Sequence, residues 1–201
     1  MVMAEATNHY FKHLGVSDGL SQVCIPSIYQ DELGAVWLGT TEGLNRYNGK
    51  DVRVFQPSES NHGLTNNEIN ELCGDKNGRM YIRSGNDLIK LDIYTEQFTC
   101  LRQKGVYGLF CKKDTLWVSC ADGIYYYTGQ GTELTFFARV QKGFVGRALY
   151  VDRETVWVVT RKYLVAISRE DPLRQEILLT LDKGNCILGD SSGNIWVGAW
   201  N

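Results

Sequence analysis

Val36-Trp37-Leu38, Met80-Tyr81-Ile82, Leu116-Trp117-Val118, Val156-Trp157-Val158 and Ile195-Trp196-Val197 are five short apolar runs, each built around one aromatic. Their anchors stand 44, 36, 40 and 39 residues apart. The mean is about forty, the length of a four-stranded propeller blade. Counting seven residues on from each anchor gives Leu44, Leu88, Ile124 and Leu164, and counting ten gives Tyr47, Leu91, Tyr127 and Ile167. Two apolar columns kept at fixed offsets predict strands that return to the same core in every repeat.

The rest of each repeat follows from its punctuation. Asp31-Glu32-Leu33-Gly34, Asp75-Lys76-Asn77-Gly78 and Asp190-Ser191-Ser192-Gly193 read as turns, with Asp bonding its own backbone and Gly taking the positive φ. Thr41-Glu42-Gly43 and Ala121-Asp122-Gly123 again place Gly just before a strand. Phe55, Phe98, Phe137 and Leu178 mark a fourth strand after a loop of variable length. No helix-period stretch with caps interrupts the pattern. The reading is an all-β propeller of four-stranded antiparallel blades, with blades at 23–58, 66–101, 105–140 and 145–181 and half a blade at 184–201. Phe11 lies fourteen residues before Ile25 as Phe55 does before Ile69, so residues 10–22 are expected to be the outer strand of a preceding blade. The count favours the N-terminal portion of a larger propeller of about seven blades over five blades closing with one strand missing. A blade lacking its third strand would leave backbone groups unpaired.

Composition narrows the chemistry. Twenty-one basic against 23 acidic residues in 201 leave a net charge of −2, with no excess to neutralise a phosphate backbone, so no nucleic-acid partner is expected. No run of eighteen apolar residues exists, and no membrane contact is expected within the segment. The opening Met1 to Asn8 lacks the charged and apolar regions of a secretory signal; the protein either stays inside the cell or has had its signal removed. Cys24, Cys73, Cys100, Cys111, Cys120 and Cys186 include no C-x-x-C pair and read as small hydrophobes. Asp31, Asp75 and Asp190 recur at one turn position and read as structural, and the loop at Asp75 lacks the later Glu of a calcium site, since position 86 is Asn. His9, His13 and His62 have no completing carboxylate or thiol in sequence, and no G-x-S-x-G elbow appears. No catalytic residue, metal or cofactor is expected, and the segment reads as non-enzymatic.

The stretch from Asp31 through Ala35-Val36-Trp37-Leu38-Gly39-Thr40-Thr41-Glu42-Gly43-Leu44-Asn45-Arg46-Tyr47 resembles the two-component regulator propeller repeat, D-x-x-G-x-h-W-h-G-T-x-x-G-L-x-R-Y with h apolar. The fifth repeat keeps Gly193-Asn194-Ile195-Trp196-Val197-Gly198, while the middle three drift: Tyr81 replaces Trp, and Arg83 and Ser119 replace the Gly after the strand. The resemblance implies the periplasmic sensor part of a hybrid two-component system, whose parent continues through a membrane helix to a histidine kinase, receiver and DNA-binding domain. It implies an oligosaccharide ligand and control of polysaccharide-utilisation genes by phosphorelay in that parent. A free-standing interaction scaffold is the alternative, and a glycan-active propeller enzyme a third. Alternation in Tyr125-Tyr126-Tyr127 sends Tyr126 to the opposite face from its neighbours. Tyr126 and Trp200, with Asn45 and Arg46, are the candidate ligand-binding residues, offering stacking and hydrogen bonds to a sugar. Exposed blade edges, or dimerisation of the parent, imply self-association.

Overall fold

The computed structural model describes residues 11–57 and 63–200. Each repeat begins with the turn that its Asp dictates. Asp31 Oδ1 accepts from the Leu33 and Ala35 N–H groups at 3.0 and 2.8 Å. Gly34 then takes φ 86°, with Gly78 at 83° and Gly193 at 85° in the matching turns. A chain reversed this tightly lays the next strand antiparallel to the last.

Four complete sheets and one pair of strands result. The first holds β1 (Ser27–Gln30), β2 (Val36–Thr40), β3 (Gly43–Tyr47) and β4 (Val52–Phe55). The second holds β5 (Ile69–Gly74), β6 (Arg79–Ser84), β7 (Asp87–Asp92) and β8 (Gln97–Arg102). The third is β9 (Val106–Lys112), β10 (Thr115–Cys120), β11 (Gly123–Tyr127) and β12 (Thr135–Ala138). In the fourth are β13 (Gly146–Val151), β14 (Thr155–Thr160), β15 (Tyr163–Ser168) and β16 (Gln175–Thr180), and the pair is β17 (Gly184–Gly189) with β18 (Ile195–Ala199). Every sheet is an up-and-down meander with antiparallel pairing throughout. The first strands β1, β5, β9, β13 and β17 pack in succession around a common axis. This is an all-β propeller, its sheets set as an open arc.

The core lies between blades rather than within them. Trp37, fully buried, packs with Phe55 of its own sheet and with Met80, Ile89 and Leu91 of the next; the Trp37 and Phe55 rings are 5.7 Å apart. Tyr81 fills the same seat between the second and third sheets, among Leu116, Val118 and Tyr127. Trp117 faces Leu149, Val156 and Ile167 of the fourth. The column of Leu44, Leu88, Ile124 and Leu164 is buried throughout. Trp196, in the last pair of strands, is 62% exposed, because no further sheet lies against it among the described residues.

One expectation fails here. Residues 11–22 form no strand; a single 3-10 turn at Val16–Asp18 interrupts them, and Phe11 is 94% exposed. An outer strand needs a third strand beside it, and each complete sheet already has its own outer strand. The segment instead lies on the first sheet, where the Ser21 N–H donates to Asn45 Oδ1 at 2.9 Å. The match of Gly19-Leu20-Ser21 to Gly63-Leu64-Thr65 does hold structurally. Leu20 and Leu64 are both buried, Ser21 bonds Thr40, and the Asn66 N–H bonds Ser84.

The turn carboxylates do more than shape turns. Asp31 Oδ2 accepts from Trp37 Nε1 at 2.7 Å, and Asp152 and Asp190 accept in the same way from Trp157 and Trp196. In the second sheet, where Tyr81 replaces Trp, Arg79 Nε donates to Asp75 instead. Every repeat but the third therefore pins its aromatic, or the residue two before it, to its own first turn. Replacing Asp31 by Ala orphans the buried Trp37 N–H and two turn amides. It should lower stability by about 2–3 kcal/mol, read as the shift in urea midpoint. Asp190→Ala, at an exposed turn, should have a much smaller effect.

Candidate functional site

The first strands leave an open cavity of about 720 Å³ on the axis of the arc. Antiparallel pairing alternates side chains, and an innermost strand has its own sheet on one edge only. Its polar side chains can therefore face the axis. Glu71 on β5, Arg83 on β6, Tyr107 on β9 and Arg147 on β13 all line this space, together with Asn70 and Asn86.

Glu71 is held there by two donors. Its Oε2 accepts from the Leu109 backbone N–H at 3.0 Å, across the junction between the second and third blades. Arg83 Nε reaches the same oxygen at 3.4 Å and sends Nη1 to Gly85 O at 3.3 Å. Asn70 Nδ2 donates to that same carbonyl at 3.2 Å. Burial pushes the Glu71 carboxyl up to about 7, against the opposing pull of the Arg83 guanidinium and the Leu109 N–H. Arg147 stands exposed, with no carboxylate within ion-pair distance among the described residues. The cavity thus combines a carboxyl that changes charge near neutral pH, two guanidinium groups, two amides and a phenol. That set can donate to and accept from a cluster of hydroxyls, with an aromatic face alongside.

The four residues proposed from sequence do not converge. Asn45 is fully buried and committed: Oδ1 accepts from the Ser21 N–H, while Nδ2 donates to Ser21 Oγ at 2.8 Å and Gly43 O at 3.3 Å. It holds the 19–21 loop on the blade and has no atom left for a ligand. Arg46 lies over the Trp37 ring at 5.6 Å and beside Glu96 at 3.6 Å. Tyr126 occupies the position equivalent to Arg46 two blades on, and alternation works as read. Tyr125 and Tyr127 turn to the second blade, lying under the Arg102 guanidinium at 4.6 Å and packing on Tyr81, whereas Tyr126 packs on Trp117 at 5.6 Å. There it lines a separate cleft of about 480 Å³ with Trp117, Arg169 and Glu170. Trp200 is 67% exposed, just past the end of β18.

The axial residues escaped sequence reasoning, although one signal existed. Arg83 is a departure from the repeat, a long cation where the pattern has Gly. Of the histidines, His13 is exposed, and His9 and His62 lie outside the described residues. Among the described residues, no three His, Cys, Asp or Glu side chains gather closely enough to hold a metal ion.

Residues 19–42 match the family of the two component regulator propeller. Those residues are similar to one two-component regulator propeller repeat. Histidine kinase P4 of Formosa agariphila is 38% identical over 53 residues, which is 26% of this chain and 4% of that protein. Among solved structures, the extracellular domain assigned to a hybrid two component system of B. thetaiotaomicron superposes with a TM-score of 0.81 at 23% identity. That likeness takes in 94% of this chain and 29% of the other. A second B. thetaiotaomicron extracellular domain, assigned to a one component system, gives 0.75 at 19% identity over 92% of this chain and 30% of its own. At these identities the likeness is one of fold, and this chain spans less than a third of either solved chain.

The Glu71 shift has a measurable consequence. A carboxyl whose folded pKa lies above its unfolded value stabilises the fold fully below the unfolded value, and that contribution fades as pH rises to the folded one. Between about pH 4.5 and pH 7, Glu71 should therefore make the urea midpoint fall. Glu71→Gln should flatten that part of the profile, and a profile unchanged by the substitution would remove Glu71 from the account.

Proposed function

We propose that this propeller is the extracytoplasmic, periplasmic sensing segment of a hybrid two-component signalling protein. It binds an oligosaccharide, and the parent chain relays binding by phosphotransfer to polysaccharide-utilisation genes. The match of residues 19–42 to the regulator propeller family carries this reading. The named histidine kinase relative and the extracellular neighbours support it. No helix among the described residues is long and apolar enough to cross a membrane.

The axial cavity is where the ligand is expected. Sugars present rows of hydroxyls and apolar C–H faces, and they are held by charged donors, carboxyl acceptors and aromatic rings that converge on one pocket. Glu71, Arg83, Arg147 and Tyr107 supply that set. Occupancy ties several blades together at once, so it can favour one arrangement of the propeller over another, as any ligand-driven shift requires. The segment itself binds and moves; no catalytic step is assigned to it.

Binding to an oligosaccharide panel, followed by calorimetry on any hit, tests the proposal. Arg83→Ala should weaken binding by about ten- to a hundredfold, the worth of one charge-assisted hydrogen bond, while Trp200→Ala leaves it intact. Loss on Tyr126→Ala instead would move the site to the cleft beside Trp117. A folded chain that binds no saccharide would favour the interaction scaffold. The free edge of β18 and the exposed Trp196 are also expected to drive self-association. Light scattering should then find dimers or larger species, and a clean monomer would count against that contact.

A further inference from the structure

Where the first strands of adjacent blades meet, the residue paired with each blade's inter-blade aromatic forms one rung of side chains. Between the first and second blades, Tyr29 lies over Gly74, so closely that a Cβ there would fall 2.1 Å from the phenol oxygen. Between the fourth blade and the last pair of strands, Tyr150 lies over Gly189 in the same manner. Phe110 stands at this rung in the third blade, its ring edge-on to Tyr150 at 5.2 Å. The rung is thus aromatic in the first, third and fourth blades, and lies over a glycine at two of the junctions.

The junction of the second and third blades has neither the aromatic nor the glycine. Cys73 stands where Tyr29 and Tyr150 stand, and Cys111 replaces the glycine. Their sulfur atoms are 2.7 Å apart, closer than two unbonded sulfurs ordinarily approach. Two residues upstream on each strand, the Leu109 N–H bonds Glu71, so the Cys73–Cys111 and Glu71–Leu109 contacts lie in register, both spanning 38 residues. The pairing is specific: Cys24 and Cys186 are exposed, Cys120 is buried elsewhere in the third sheet, and Cys100 packs against the core between the first and second blades.

We propose that Cys73 and Cys111 are a disulfide site that staples the second blade to the third. The two residues are thiols in the structure, and the bond forms by exchange with a disulfide oxidant, either an oxidised dithiol protein or oxidised glutathione. One cysteine thiolate attacks the oxidant disulfide, giving a mixed disulfide and releasing one thiol. The second cysteine then displaces the remaining half. One S–S bond forms, one breaks, two electrons reduce the oxidant, and the two protons end on its thiols. Burial pushes the Cys73 thiol up, which slows exchange in the closed structure and places it before these blades seal. The staple fixes the strand pair that carries Glu71, and with it one wall of the axial cavity. In the cell, the supply of oxidant rests on the extracytoplasmic reading.

The test supplies its own oxidant. The full chain is unfolded with reductant, refolded with a glutathione redox couple, alkylated and digested with trypsin without reduction. The expected product is peptide 54–76 joined to peptide 105–112, lighter than the separate pair by two hydrogens. It should persist in Cys24→Ser/Cys186→Ser. The oxidised chain should melt about 5–15 °C above its reduced form, a gap that Cys111→Ser abolishes. Recovery of both residues as alkylated thiols, or linkage through other cysteines, overturns the proposal. Because the oxidant is added, such a failure counts against the pair and leaves the extracytoplasmic location untouched. That location is read separately, by protease accessibility of the segment in intact cells.

Discussion

Burial of one aromatic side chain at each blade junction is the constraint on which the rest depends. A meander of four short strands has two faces and cannot bury both by itself. Trp37, Tyr81 and Trp117 resolve this by lying against the following sheet. Burying an indole also buries its N–H, and an unpaired N–H in that setting costs as much as a lost hydrogen bond. The Asp of the first turn meets this need in the first and fourth blades, where Asp31 and Asp152 each receive one. Turn chemistry and core packing are therefore one device, and the spacing from Asp to Trp is held by both.

Where the aromatic changes, the device changes with it. Tyr81 has no indole N–H, and Asp75 takes the Arg79 guanidinium instead. In the third blade Trp117 has no turn Asp at that place, and the Arg169 guanidinium of the next blade lies over its ring at 5.6 Å. These substitutions explain why the middle repeats drift from the pattern in sequence while their sheets superimpose in topology.

The periodic features were the readable ones. Aromatic anchors, apolar columns, Asp-to-Gly turns and the alternation of the tyrosine run all depend on local spacing, and each takes its expected place. Features made by convergence were not readable in the same way. Asn45 is polar and reads as surface, yet a loop from residues 19–21 covers it. Glu71 and Leu109 meet only because two blades are set side by side. Arg83 looks like decay of a glycine position until the axis is formed around it. The segment before the first blade failed because a strand is defined by its neighbour, and periodicity alone does not supply one.

The sheets touch mainly their neighbours in sequence, from β1 to β5, β9, β13 and β17. Such an array behaves nearly as a one-dimensional stack, whose stability is a sum of unit and junction terms. Among the described residues the second, third and fourth sheets are held from both sides, and the first sheet and the pair β17–β18 from one side only. Disturbance at one junction therefore passes along the described sheets one junction at a time. The described sheets hold together like the teeth of a zip, most firmly around Tyr81 and Trp117.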